Sequence, residues 1–211
     1  LIVIDQAEIA TPDGRALYKT GQLWVNPGDR IVLLGANGTG KTRLLKLVHE
    51  AILQPEQSLA GIKATPSLVL GYSDQALSEL NGDWTPFETI MKRFDVGDQR
   101  ARSLLAGAGM TLDMQAKPLS RLSGGQKARL AMLVLRLTKP NFYILDEPTN
   151  HLDIDGQEAL EAELLSDATA SLIVSHDRSF VRNIGNRFWV IDRKNLIEVD
   201  SPEAFFNSAS G

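Results

Sequence analysis

A chain of 211 residues, 43% hydrophobic and 23% charged, can bury one sizeable core. Its net charge of −4 argues against a surface that wraps nucleic acid wholesale, and the lack of cysteine excludes disulfides and thiolate metal sites. No apolar run reaches the roughly eighteen residues of a membrane span, and Leu1–Asp5 lacks the basic start and cleavage site of a signal peptide. The cysteine-free composition fits a reducing compartment, so a cytoplasmic location is expected. Leu1 in place of Met reads as the start of a fragment.

Short β-rich pieces come first: Leu1 to Ile9, Arg15 to Tyr18 and Gly21 to Val25, separated by the turn Thr11-Pro12-Asp13-Gly14 and closed by Asn26-Pro27-Gly28-Asp29. Ile31 to Leu34 is apolar on both faces and predicts a buried strand. Leu44, Leu47, Val48 and Ile52 recur at helical spacing, and Gln54-Pro55 ends that helix. Ser67 to Tyr72 predicts another buried strand. Residues 76–121 lean helical, with Trp84, Phe87, Ile90, Met91 and Phe94 as anchors. Ser123 is placed to cap a helix with the stripe Leu130, Leu133, Val134 and Leu137. Phe142 to Leu145 and Ser171 to Ser175 predict two more buried strands, with a helix from Gln157 to Leu165 between them. Phe188 to Ile191 and Leu196 to Val199 predict a closing hairpin. Such alternation implies a largely parallel α/β core.

Gly35-Ala36-Asn37-Gly38-Thr39-Gly40-Lys41-Thr42 matches G-x-x-x-x-G-K-[ST] without a mismatch. Glycines let backbone N–H groups turn inward around phosphate oxygens. Lys41 can reach the β- and γ-phosphates, and the Thr42 hydroxyl can hold Mg²⁺. A plain glycine turn could look similar, but a chance match in this length is about a one-in-a-hundred event. The strand before it and the helix after it lower that further. Phe142 to Leu145 ends in Asp146 and Glu147. Asp146 is placed to complete an oxygen shell for phosphate-bound Mg²⁺, and Glu147 to polarise an attacking water. Alone, an acidic strand end is common; with the phosphate loop it becomes the second half of one site.

Leu122-Ser123-Gly124-Gly125-Gln126 is a glycine-rich helix entrance, readable as a generic cap or a second anion-binding surface. With it the chain resembles the ATP-binding-cassette (ABC) ATPases, whose signature reads the same five residues. The motif order also agrees, and the likeness runs from about Tyr18 to about Ile191. The resemblance implies a P-loop NTPase, RecA-like core with a mostly parallel sheet (1–76 and 122–200). It adds an N-terminal antiparallel β subdomain and an inserted helical subdomain (77–121). It implies ATP and Mg²⁺ as ligands. It places Gln75 on Mg²⁺ and the water, His176 as the switch histidine at the γ-phosphate, and Tyr18 under the adenine, with Trp24 as a nearby competitor. Ser123, Gly124, Gly125 and Gln126 would then cap the nucleotide of a second cassette, and Asp153 would sit in the D-loop that crosses that interface.

Asn150-His151-Leu152-Asp153, Ser123 to Leu130 and Ser175 to Phe180 resemble the ABC-F branch, whose proteins carry two cassettes and act on the ribosome. His151 then marks the branch at an interface loop and is not a metal ligand. The stretch from Gln75 to Leu122 is too short for the coiled coil of SMC-type ATPases. The resemblance is to a second, C-terminal cassette, with Lys92-Arg93, Arg100 and Arg102 as candidate rRNA contacts; a solvated helix face is the better explanation for each. The motor subunit of a membrane ABC transporter is the alternative, and a non-hydrolytic binding module ranks last because Glu147, Gln75 and His176 are all present.

Overall fold

The computed structural model describes residues 1–72, 83–150, 152–165 and 169–208. Two sheets are present among them. A three-stranded antiparallel sheet has the order β4-β1-β6, from β1 (Ile2–Asp5), β4 (Gln22–Val25) and β6 (Ile62–Ala64). An eight-stranded sheet has the order β2-β3-β11-β10-β5-β9-β8-β7. Its members are β2 (Glu8–Ala10), β3 (Ala16–Thr20), β5 (Arg30–Leu34), β7 (Leu70–Tyr72), β8 (Phe142–Asp146), β9 (Ala170–Val174), β10 (Arg187–Asp192) and β11 (Asn195–Val199). The run β10-β5-β9-β8-β7 is parallel throughout. The α/β expectation holds, and the antiparallel N-terminal part divides between the two sheets. Gln6 has φ 46°, which breaks the first β piece, so β2 and β3 leave the small sheet and join β11 at the edge of the large one.

The parallel strands are apolar on both faces because both are covered. Ile31, Leu33, Phe142, Ile144, Leu172 and Trp189 pack on one side against α1 (Lys41–Leu53) and the small sheet. Val32, Leu34, Tyr143, Leu145, Ile173 and Val190 pack on the other side against helices. These helices are α2 (Pro86–Arg93), α3 (Asp98–Gly107), α4 (Leu112–Gln115), α5 (Gly124–Leu137), α6 (Ile154–Leu164), α7 (Arg178–Ile184) and α8 (Glu203–Ser208). Each fully buried Val, Leu or Ile contributes about 1.5–3 kcal/mol, so the continuous apolar runs dictate central strands.

Helix starts follow from capping. Thr85 and Glu88 form a reciprocal box at α2 with Pro86 behind them, and Ser123 and Gln126 form another at α5. Asp153 caps α6 through the Gly156 N–H at 3.0 Å, which moves that helix start three residues ahead of Gln157. One cation joins the sheets. Arg187 donates to both carboxylate oxygens of Glu198 at 2.7 Å, to the Trp24 carbonyl at 2.7 Å and to Asp29 at 2.5 Å.

Candidate functional site

The topology brings three strand ends together. Strand β9 lies between β5 and β8, all three parallel, so the segments after Leu34, Val174 and Asp146 emerge on one edge. Such a strand-end crevice in an open α/β sheet is where ligands bind. The opening there holds about 640 Å³ and is lined by Asn37, Gly38, Gly40, Lys41, Thr42, Asp146, Glu147, Asn150, Val174 and His176, together with Thr11, Arg15 and Leu17.

Local geometry explains the loop. Gly38 and Gly40 have φ of 78° and 103°, in the region where L side chains are strained. A side chain on Gly40 would meet Leu17 Cδ1 at 2.7 Å, and one on Gly35 would meet Thr39 Oγ1 at 2.9 Å. Gly40 caps α1 without a side-chain bond, which leaves that helix end to an anion. Lys41 is buried at 8% exposure, and its Nζ donates to the carbonyls of Gly35 at 2.7 Å and Ala36 at 3.2 Å. Burial pulls this ammonium below its usual pKa, while Glu147 and then Asp146 pull it back up. A buried cation hydrogen-bonded to neutral carbonyls fits an incoming anion.

The Thr42 hydroxyl donates to Asp146 Oδ2 at 2.8 Å, so two hard oxygen donors meet one helical residue from the lysine. That pair fits Mg²⁺, which keeps most of its shell from phosphates and water. Among the described residues no cluster of three His, Asp or Glu could hold a metal by itself.

Glu147 has φ 49°, costing about 1–3 kcal/mol for a non-glycine residue. Its backbone N–H donates to Val174 at 2.8 Å, and its Oε2 accepts the His176 N–H at 3.2 Å. Glu147 Oε1 is buried without a hydrogen-bond partner and lies 3.4 Å from His176 Nε2. Asp177 accepts the N–H groups of Ser179 and Phe180 and so fixes the turn that presents His176. A carboxylate oxygen with no hydrogen bond of its own can accept one from a water when the His176 contact opens.

Lys41, Thr42, Asp146, Glu147 and His176 are thus brought together, as expected. Gln75 and His151 lie outside the described residues. Ser123 to Gln126 do not line this opening. Asp153 is engaged within the chain, paired with Arg129 while capping α6. Two expectations are corrected. Tyr18 is 2% exposed, its hydroxyl donates to the Gly40 carbonyl at 3.3 Å, and burial raises its pKa, so it braces the loop from beneath and offers no face to a base. Trp24, 47% exposed, pairs with Val3 on the small sheet and does not line the opening. Thr11, Arg15, Leu17 and Asn150 were missed as site residues. In the sequence Thr11 shows only as part of a turn, and Asn150 only as a branch marker.

Comparison with known proteins agrees with this geometry. A family model described as ABC transporter matches residues 18–150. The chain is 37% identical over 172 residues to YdiF of Bacillus subtilis (strain 168), covering 81% of this chain and 26% of that protein. It is 35% identical over 203 residues to the ATP-binding cassette sub-family F member 3 of Homo sapiens, covering 95% and 28%. It therefore spans about a quarter of the length of these relatives. Among solved structures, a dimeric post-hydrolysis state of the ATP-binding cassette MJ0796 bound to ADP and Pi aligns with a TM-score of 0.70 at 18% identity, covering 95% of this chain and 98% of that one. An RNase-L inhibitor structure aligns with a TM-score of 0.71 at 20% identity, covering 100% and 42%. Among the described residues no helix is long and apolar enough to cross a membrane.

Proposed function

Because the chain belongs to the ABC transporter family and sides with its F-type cassettes, we propose that it binds Mg-ATP in the 35–42 loop and hydrolyses it with a second cassette. The observation that carries this reading is the buried Lys41 ammonium, held on backbone carbonyls beside the Thr42–Asp146 pair. Lys41 exchanges those carbonyls for β- and γ-phosphate oxygens, while the loop amides and the start of α1 offset the remaining charge. Thr42 and Asp146 are the residues that would hold Mg²⁺, joined by Gln75 in this reading. When bound, the metal spreads the negative charge that develops on the transferring phosphoryl group. Glu147, whose buried Oε1 makes no hydrogen bond within the chain, accepts a hydrogen bond from the attacking water once His176 swings off it, and His176 meets the γ-phosphate from the adjacent strand end.

Two features support a partner cassette. A side chain on Gly124 would meet nothing within 4 Å, so the chain's own packing does not require that glycine, whereas a closely approaching ligand does. Ile154, 74% exposed beside Asp153, is an apolar side chain the chain itself leaves uncovered. Ser123, Gly124, Gly125 and Gln126 then cap the partner's nucleotide, and the cycle of clamping and release acts on the ribosome.

The test is Glu147→Gln. It should retain Mg-ATP within about threefold and lower turnover at least about 100-fold. It should also form an ATP-dependent dimer by light scattering and accumulate on ribosomes in sedimentation. Turnover at the unmodified rate would sink the catalytic assignment; unchanged ribosome occupancy would sink the ribosomal one.

A further inference from the structure

Helix α7 begins two residues after His176, so whatever holds its first turn helps to set where that ring stands. The ring is not packed in place. Its side chain is 54% exposed and meets Glu147 Oε1 through Nε2 at 3.4 Å. Its position is therefore inherited from the backbone of Ser175 to Arg178. On the inner side of this turn the Asp177 N–H donates to Ser175 Oγ at 3.1 Å, and the Asp177 carboxylate takes the Ser179 and Phe180 N–H groups.

On the outer side Arg178 reaches across to α8. Its Nη2 donates to the Phe206 carbonyl at 3.1 Å, and its guanidinium carbon lies 5.2 Å from the centre of the Phe206 ring. A cation at the first position of a helix opposes the positive end of the helix dipole, so α7 gains nothing from that charge. A carbonyl in the last turn of α8, at the negative end, does suit it. The far end of this tie is firm. Phe206 is 3% exposed and shares the apolar core of Phe180, Val181 and Ile184. Arg182, one turn along α7, donates to both carboxylate oxygens of Glu203 at 2.8 and 2.9 Å and lies 5.5 Å from the same ring.

We propose that Arg178 is a positioning residue for hydrolysis, and that α8 is the strut against which it holds the turn carrying His176. The turn must keep its place while the ring exchanges Glu147 for the γ-phosphate. A drift of about 1 Å in a positioning element can cost about a hundredfold in rate. Arg178 does not line the nucleotide opening, so its loss acts on turnover and not on affinity. Hydrolysis thereby becomes sensitive to anything that pulls on α8. This rests on the reading of His176 as the residue that meets the γ-phosphate.

Mg-ATP turnover at high chain concentration, combined with side-chain NMR of the histidines, tests it. Arg178→Ala should lower kcat about tenfold and leave Mg-ATP affinity within about twofold. In a His176→Ala background the same change should cost less than about twofold, since its route runs through the missing ring. In the nucleotide-free chain Arg178→Ala should move the His176 ring signal and leave that of His49, on α1, in place. Arg178→Lys, still able to donate to the Phe206 carbonyl, should keep turnover within about threefold. Equal losses with and without His176 mean a general loosening and overturn the proposal. An unchanged kcat or an unmoved His176 signal in Arg178→Ala overturns it too. If the unaltered chain does not turn over Mg-ATP, or if His176→Ala does so at the unaltered rate, the hydrolytic reading of the site falls and the strut falls with it.

Discussion

Gly38 and Gly40 sit two residues apart in one loop, both at positive φ, yet a methyl group on each meets different surroundings. At Gly38 a new Cβ finds nothing within 4 Å. At Gly40 it finds Leu17 Cδ1 at 2.7 Å and Tyr18 Cε1 at 3.1 Å, and φ is 103° instead of 78°. Gly38→Ala therefore carries the left-handed cost alone, about 1–2 kcal/mol. Gly40→Ala carries that cost plus overpacking, about 1–3 kcal/mol more, moderated because the Leu17 tip can swing. The expected totals are about 1–2 and about 2–4 kcal/mol, read as urea midpoints at constant slope. Tyr18 is the rigid side of the contact, since its hydroxyl is tied to the Gly40 carbonyl. The Gly40→Ala, Leu17→Ala pair should accordingly recover only part of the loss, about 1 kcal/mol in a double-mutant cycle. Equal destabilisation by the two alanines would refute the packing argument, and a fully neutral Gly40→Ala would refute the backbone argument as well.

Three further outcomes follow from the same geometry. Arg187→Ala should cost about 2–3 kcal/mol, because it removes three acceptors' partner at once across both sheets. Glu198 is held below its usual pKa by the Arg187 hydrogen bonds. Its share is therefore present above the unfolded carboxylate value and lost as pH falls through the lower folded one, so the Arg187→Ala penalty should shrink in acid denaturation curves. Lys41 is depressed by burial in the free chain, and phosphate raises it again, so Mg-ATP binding at alkaline pH should take up protons. Calorimetry in two buffers of different ionisation heat checks that sign, and Lys41→Met should abolish the uptake. Asp146→Asn should raise the Mg²⁺ concentration needed for half-maximal turnover at least about tenfold, with tripolyphosphate binding in metal-free buffer nearly unchanged.

The phosphate loop, the acid pair and the central strands were legible because each depends on neighbours in sequence. Ile31 to Leu34 and Phe142 to Leu145 announce burial on both faces, and the loop glycines announce positive φ. What was not legible depends on distant partners. Strand β6 is three residues long, too short for alternation to show. The break at Gln6 and the departure of β2 and β3 to the large sheet are decided by β11, far along the chain. Tyr18 illustrates the limit most sharply. Its spacing from the glycines correctly puts it near the loop, but β3 alternates Tyr18 and Thr20 inward with Lys19 outward, and only the sheet says which side faces the nucleotide.

The edge pairing of β3 with β11, Lys19 opposite Asn195 and Thr20 opposite Leu196, has a consequence for biosynthesis. At about 5–20 residues per second, roughly 10–35 s separate the appearance of these two strands at the ribosome. During that interval β2 and β3 lack their permanent neighbour, and Arg187 has not yet arrived to join Trp24 and Asp29. Strands β2 and β3 must wait, exposed or chaperoned, until β10 and β11 have been made. Translation pauses placed between β3 and β11 would change the yield of folded protein far more than its final stability.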